Sequence, residues 1–275
     1  MKLSVVIAGE DAPESAFVVW RGFKNSMDKA RRFGYQGVEL ALGCAKDVDT
    51  GALDRELAAH DLRVSCISTG LTFARMGLYM THPDPVKRAE IVRVFRDLVL
   101  LAERHGGLIN VGRARGFVSA DQTRGEAEAL FLGCMGEILP FAAQHGVTVL
   151  IEPINRYESN FLNSVDEACA LLARLPFENV GVMADVFHMN IEDDRIGASL
   201  RRNAKRVKYV HIADSNRRAP GQGHTDFDEI LDALTESGYD GWLSAEVLPG
   251  ADADGTALRT ARYMRSRLLE RGLLS

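Results

Sequence analysis

Five times along this chain a polar, helical stretch ends at a His, Gly or Asp and runs directly into a short apolar segment: FGYQGVELAL, AAHDLRVSCIS, ERHGGLINVG, AQHGVTVLIEP and SGYDGWLSAEV. A glycine at a helix C-terminus followed by a β-rich run is the helix-to-strand connection of a β/α repeat. His60, His105 and His145 fall in the last turn or cap of these helices, where an imidazole suits the negative end of the helix dipole. Filling the gaps gives eight strands, expected at 3–8, 36–41, 62–68, 107–111, 147–152, 179–184, 206–212 and 241–246. Helical patterns lie between all of them. DPVKRAEIVRVFRDLVLLAERHG carries apolar residues at 91, 92, 94, 95, 98, 99 and 101, and FDEILDALTESG places Ile230, Leu231 and Leu234 on one face. Strands alternating with helices imply a parallel sheet, and eight such units imply a closed (β/α)8 TIM barrel occupying 1–275 as one domain. A doubly wound open sheet is the alternative, and no G-x-G-x-x-G follows the first strand to support it.

Composition narrows the partners. A length of 275 residues with 46% hydrophobic and 26% charged residues suits one large core. The net charge of -5 offers no footprint for a polyanion, so a nucleic-acid partner is not expected. Cys44, Cys66, Cys134 and Cys169 are widely spaced and form no C-x-x-C pair, which points to a reducing compartment. MKLSVVIAGEDAPES has too short an apolar run for a signal peptide, and no stretch is long enough to span a bilayer. A cytoplasmic protein with no membrane partner is expected.

In such a barrel, chemistry gathers at the C-terminal ends of the strands. The fifth expected strand ends VLIEP at Glu152, the sixth VMAD at Asp185, the seventh YVH at His211 and the eighth LSAE at Glu246. Any one of these is explained equally by a helix cap or a satisfied core histidine. Together they deliver four metal-competent side chains from consecutive strands to one rim. Three carboxylates and an imidazole favour Mn²⁺ or Mg²⁺, with Co²⁺ or Zn²⁺ still open. An octahedral ion with four protein ligands keeps two positions for the adjacent oxygens of a ketose, where it stabilises a cis-enediolate. Glu152 and Glu246 then stand as the acid/base pair, one removing a proton and the other returning it. On this reading Asp185 is a ligand, and capping falls to Asn190 and the acidic IEDD after it.

The segments EPINRYESNFLNS, ADVFHMNIEDD, HIADSNRRAPGQGHTDFDEIL and GYDGWLSAEV resemble the xylose isomerase-like TIM barrels, most closely the D-tagatose/D-psicose 3-epimerases. The resemblance implies a metal-dependent carbohydrate isomerase, a ketose 3-epimerase, with Glu152, Asp185, His211 and Glu246 as ligands. It assigns Glu158, His188 and Arg217 to the sugar's oxygens, and implies a homo-oligomer, dimer or tetramer. His224 is read as structural, beside a helix N-cap at Thr225 or Asp226.

Before residue 147 the resemblance is weak. Where the epimerases' early loops supply aromatic and apolar contacts to the far end of the sugar, AGEDAPESAFVVW is read as offering Trp20 only, well after the first strand. Cys66, at the end of the third strand, falls where the epimerases contact substrate. Arg113 and Arg115 in NVGRARGF are suited to clamp a carboxylate or phosphate, which a neutral ketohexose does not require. They motivate an alternative substrate class, that of a hydroxypyruvate or inosose isomerase or a sugar-acid isomerase or dehydratase. An endonuclease IV-like enzyme requires a multinuclear zinc cluster and a basic face, and a non-catalytic sugar binder has no use for two acid/base carboxylates.

Overall fold

In the computed structural model, which describes residues 1–274, the apolar runs form β1 (Lys2–Ala8), β2 (Gly37–Ala41), β3 (Arg63–Ser68), β4 (Leu108–Val111), β5 (Thr148–Ile151), β6 (Val180–Asp185), β7 (Val207–Ile212) and β8 (Trp242–Ala245). Neighbours pair in parallel and in chain order. β1 also pairs with β8, from Lys2 opposite Trp242 to Val5 opposite Ala245, which closes the sheet. With helices outside every strand, the chain is a single-domain (β/α)8 barrel. No helix among the described residues is long and apolar enough to cross a membrane.

The helices carry their own start signals. Asp84 accepts from the Val86 N–H at the start of Pro85–Arg104, and Thr123 with Glu126 forms a capping box for Arg124–Gln144. Asp226, one of the two expected caps, opens Phe227–Glu236. The periodic apolar positions of Pro85–Arg104 become its buried face, Ile91, Phe95, Leu98, Val99 and Ala102 among them. Each large side chain of this kind contributes about 1.5–3 kcal/mol on leaving water.

One element departs from the expected pattern. Trp20–Arg21 forms a two-residue strand beside the end of β1, and Trp20 is core, not rim. Its indole N–H donates to Asp254 at 2.8 Å and its ring packs on Phe33, so it anchors the first loop to the outer helices.

Inside the barrel, period-two alternation sorts the side chains by height. Leu150, Met183 and Tyr209 pack with Cys66 into an apolar plug. Two residues further along the same strands stand Glu152, Asp185 and His211, at the C-terminal mouth.

The helix-to-strand junctions tolerate little change. Gly106 has φ 79°, and a Cβ there would lie 2.3 Å from the Val64 carbonyl oxygen. Gly106→Ala is therefore expected to destabilise the protein by more than ~2 kcal/mol, since both the left-handed backbone and the close approach exclude a side chain. Denaturant unfolding of the two proteins measures this directly.

Candidate active site

The four strand-end side chains meet. Glu152 and Glu246 directly follow β5 and β8 and stay in the ladder, their N–H groups donating to Val111 O at 3.2 Å and Ile212 O at 3.3 Å. Asp185 closes β6 in register with His211 of β7. One potential ligand atom from each of the four lies within 4.8 Å of all the others. An octahedral ion with ligands at about 2.1 Å separates its donors by about 3 Å when adjacent and about 4.3 Å when opposite, so the cluster fits a divalent cation. His211 Nδ1 lies 3.2 Å from Glu152, 3.6 Å from Asp185 and 3.6 Å from Glu246.

The other His211 nitrogen is occupied by a residue that escapes a search of strand ends. Glu39, fully buried in mid-β2, places both carboxylate oxygens 2.9 Å from His211 Nε2. A register shift between Val38 and Glu39 accompanies this placement, as bulges beside active sites often do. Tyr209 donates to Glu39 at 2.9 Å, and the Tyr209 hydroxyl lies 2.7 Å from Ser65 Oγ and 3.2 Å from Ser4 Oγ. A carboxylate behind a histidine fixes the tautomer and turns the opposite nitrogen toward the ion. The only hint in the sequence is a lone Glu inside the apolar run GVELA.

Asp185 does two jobs. Its Oδ1 caps the helix Val186–Glu192, accepting from Phe187 N at 2.8 Å and His188 N at 3.4 Å. Asn190, expected with IEDD to cap the following helix, lies inside this one, and that following helix, Ile196–Arg202, starts at Arg195 without a side-chain cap; the strand runs straight into Val186–Glu192 and Asp185 itself caps it. Its Oδ2 is buried and receives no well-directed hydrogen bond; Arg217 Nη1 stands 3.2 Å away. An orphaned carboxylate oxygen turned toward three other donor residues is what a cation site requires. Burial opposes ionisation of Asp185, yet Arg217, His188 and His211 hold its pKa well below the carboxylate range.

Glu158, His188 and Arg217 all line the same cavity, as does Arg113. Arg217 adopts φ 60°, a strained region for a non-glycine residue that recurs at functional sites. Its guanidinium is sandwiched between Phe17 and Phe187, 4.5 and 4.6 Å from the ring centroids, and donates to Glu246. Phe17 is thus the cavity aromatic of AGEDAPESAFVVW, where Trp20 is expected from the sequence. His188 Nδ1 accepts from the backbone and side-chain amides of Asn155 at 3.3 and 2.7 Å, which assigns the proton of the neutral ring to Nε2, 3.7 Å from Asp185 Oδ2 and with Arg217 Nη1 3.4 Å away. Burial lowers the His188 pKa, so the ring is a neutral donor at physiological pH. Asn155 also holds Glu158, at 2.9 Å. A second tie, Arg156 to Glu192 at 2.9–3.0 Å, joins the Glu158 loop to the His188 helix.

Two residues do not reach the cavity. Cys66 lies within β3, two residues before its end, and is fully buried in the apolar plug, with its thiol pKa pushed well up by burial. Ser68 lines the cavity in its place. Arg115 is fully buried and donates to the carbonyls of Phe161, Gly112 and Leu162 at 2.9–3.3 Å. It is a brace between loops, not a clamp for an anion.

Two outcomes are expected. Burial alone would lower the His211 pKa, but Glu39, Asp185 and Glu152 raise it well above the imidazole range, so a proton sits on Nδ1 in the metal-free protein. A metal ion must displace that proton, so affinity for Mn²⁺ rises with pH, by about tenfold per unit for one proton released. Calorimetric titration in buffers of different ionisation enthalpy counts the proton. In the same assay Glu39→Gln weakens Mn²⁺ binding by about 10- to 100-fold, the usual cost of losing a histidine's outer partner, with the circular dichroism spectrum preserved.

Comparison with known proteins agrees with this geometry. Residues 27–267 match the xylose isomerase-like TIM barrel family. The chain is 31% identical over 226 residues to an L-ribulose 3-epimerase of Mesorhizobium japonicum, covering 81% of this chain and 74% of that one. It is 30% identical over 214 residues to a 2-oxo-tetronate isomerase of Cupriavidus necator, covering 71% and 80%. A crystal structure of a D-allulose 3-epimerase from Methylomonas sp. superposes with a TM-score of 0.83 at 23% identity over 98% of both chains. With such relatives the protein is an isomerase of the sugar-epimerising kind. The chain belongs to the xylose isomerase-like TIM barrel family.

Proposed function

We propose that this enzyme is a divalent-metal-dependent ketose 3-epimerase that moves a proton through a cis-enediolate of its sugar. The carrying observation is the pair Glu152 and Glu246, which reach one space from β5 and β8 with an oxygen of each beside His211 Nδ1, at 3.2 and 3.6 Å. Inverting a carbon requires removing its proton on one face and returning one on the other, and two carboxylates arriving from different sides of a barrel mouth can do both. A divalent ion held by Glu152, Asp185, His211 and Glu246, Mn²⁺ by the hardness of the donors, supplies charge that stabilises the oxygens of the sugar as the proton leaves.

The remaining work belongs to the chain. Asn110 donates to Glu152 Oε2 at 2.9 Å, and Gly112, where a Cβ would lie 2.7 Å from that oxygen, leaves room for the carboxylate. Burial raises the Glu152 pKa while the hydrogen bond and charge of His211 pull it down further, so the group rests ionised as a base. Arg217 holds Glu246 and, between its two rings, presents its other N–H groups to a sugar oxygen. His188 offers Nε2–H to the carbonyl or to the developing oxyanion, and Glu158 accepts from a hydroxyl. The same reading takes the cytoplasm as the setting and a dimer or tetramer as the form in solution.

Solvent deuterium exchange at the reacting carbon tests the assignment. At saturating Mn²⁺, Glu152→Gln and Glu246→Gln are each expected to slow exchange by about 10²- to 10⁴-fold; wild-type exchange in both would remove the acid/base pair. Chelation is expected to abolish turnover, and added Mn²⁺ to restore it.

A further inference from the structure

We propose that Arg113 recognises an anion and that the ketose handled here carries a carboxylate at the end remote from its reacting carbons; this rests on the epimerase reading of the site. The ligand cluster is built from β5 to β8. Arg113 follows β4, which pairs with β5 beside Glu152 and lies opposite β8, and its guanidinium is carried over Phe73 of the helix after β3, away from β7 and β8. A chain of carbons gripped at the cluster and running toward that helix meets Arg113.

This arginine is presented on a rigid support. Its turn, Arg113–Arg115, is pinned by the three carbonyl bonds of buried Arg115, whose pKa burial pushes down only to about 10, so it keeps its charge. The Arg113 guanidinium stacks 4.7 Å from the Phe73 centroid, an arrangement that occupies its face and leaves its N–H edge for a ligand. Among the described residues no carboxylate lies within salt-bridge distance of Arg113, whereas Arg217, the cavity's other arginine, is taken by Asp185 and Glu246. Glu158, an acidic residue lining the same cavity, is held by Asn155 at 2.9 Å. The helix that carries Phe73 also lends Leu71 and Ala74 to the cavity lining, beside the polar Ser68 and Asn110. Arg113 is itself exposed to solvent at the cavity edge, so its guanidinium is open to an anion arriving with the substrate. One guanidinium fork matches the two oxygens of a carboxylate, while a phosphate dianion gathers several donors, and Arg115 is turned away.

The test compares ketoses alike except for a terminal hydroxymethyl, carboxylate or phosphate group. Wild-type enzyme is expected to favour the carboxylate over the hydroxymethyl compound at least about tenfold in kcat/KM. Arg113→Ala should lower that ratio by about 10- to 100-fold, chiefly through the KM of the acid, and Arg113→Lys by less, as for loss of a charged hydrogen bond. Equal use of acid and neutral ketose by the wild type, or an unchanged ratio in Arg113→Ala, overturns the proposal, and preference for the phosphate overturns the carboxylate assignment. Calorimetric binding of the ketose acid separates the two readings. Acid binding that depends on Arg113, with no deuterium exchange on any ketose, sinks the epimerase reading and sustains the carboxylate subsite.

Discussion

Four carboxylates surround one imidazole at the mouth of this barrel, and the rest of the architecture answers to that fact. Glu39, Glu152, Asp185 and Glu246 all come within 3.6 Å of a His211 nitrogen, and the first three are buried. Like charges removed from water repel and lose hydration, a combination that costs several kcal/mol per ion unless cations offset it. His211 takes a proton, Arg217 lies against two of the acids, and the negative charge that remains suits the cluster to a divalent ion.

Holding that charge in register demands support from several strands at once. Tyr209 and two serines fix Glu39, Asn110 fixes Glu152, the start of a helix fixes Asp185, and two phenylalanines fix Arg217. The supports come from several elements around the mouth, so the site is rigid only as long as the barrel is closed. Plugging the barrel with Leu150, Met183, Tyr209 and Cys66 serves the same end, because it keeps water from reaching the acids from below.

Much of this is legible along the chain. The repeated helix-to-strand junctions reveal the barrel because period and turn chemistry are local properties. The four clustered residues are legible for a related reason: a titratable residue closing an apolar strand stands out, and parallel strands of a closed barrel point their ends the same way. Glu39 and Asn110 are hidden by position, since each lies within a strand where only the tertiary neighbour explains a polar group. Arg113 and Arg115 look equivalent in NVGRARGF, yet one faces the cavity and the other is buried among carbonyls. A single tight turn points adjacent side chains in opposite directions, and nothing in the spacing says which way.

Asp185 marks the same boundary most sharply. Read as a string, VMADVFHMN offers it either a cap or a ligand. Folded, its two oxygens divide the roles, one on the helix N-terminus and one in the charged cluster. The sequence alone determined the barrel, the rim and the four residues that meet there, because hydrophobic period and strand order are written in one dimension. Only the tertiary structure decided the partners of those residues, Glu39 behind His211, Phe17 against Arg217 and an unpaired Arg113 across the mouth, because contacts between distant strands depend on closure and register.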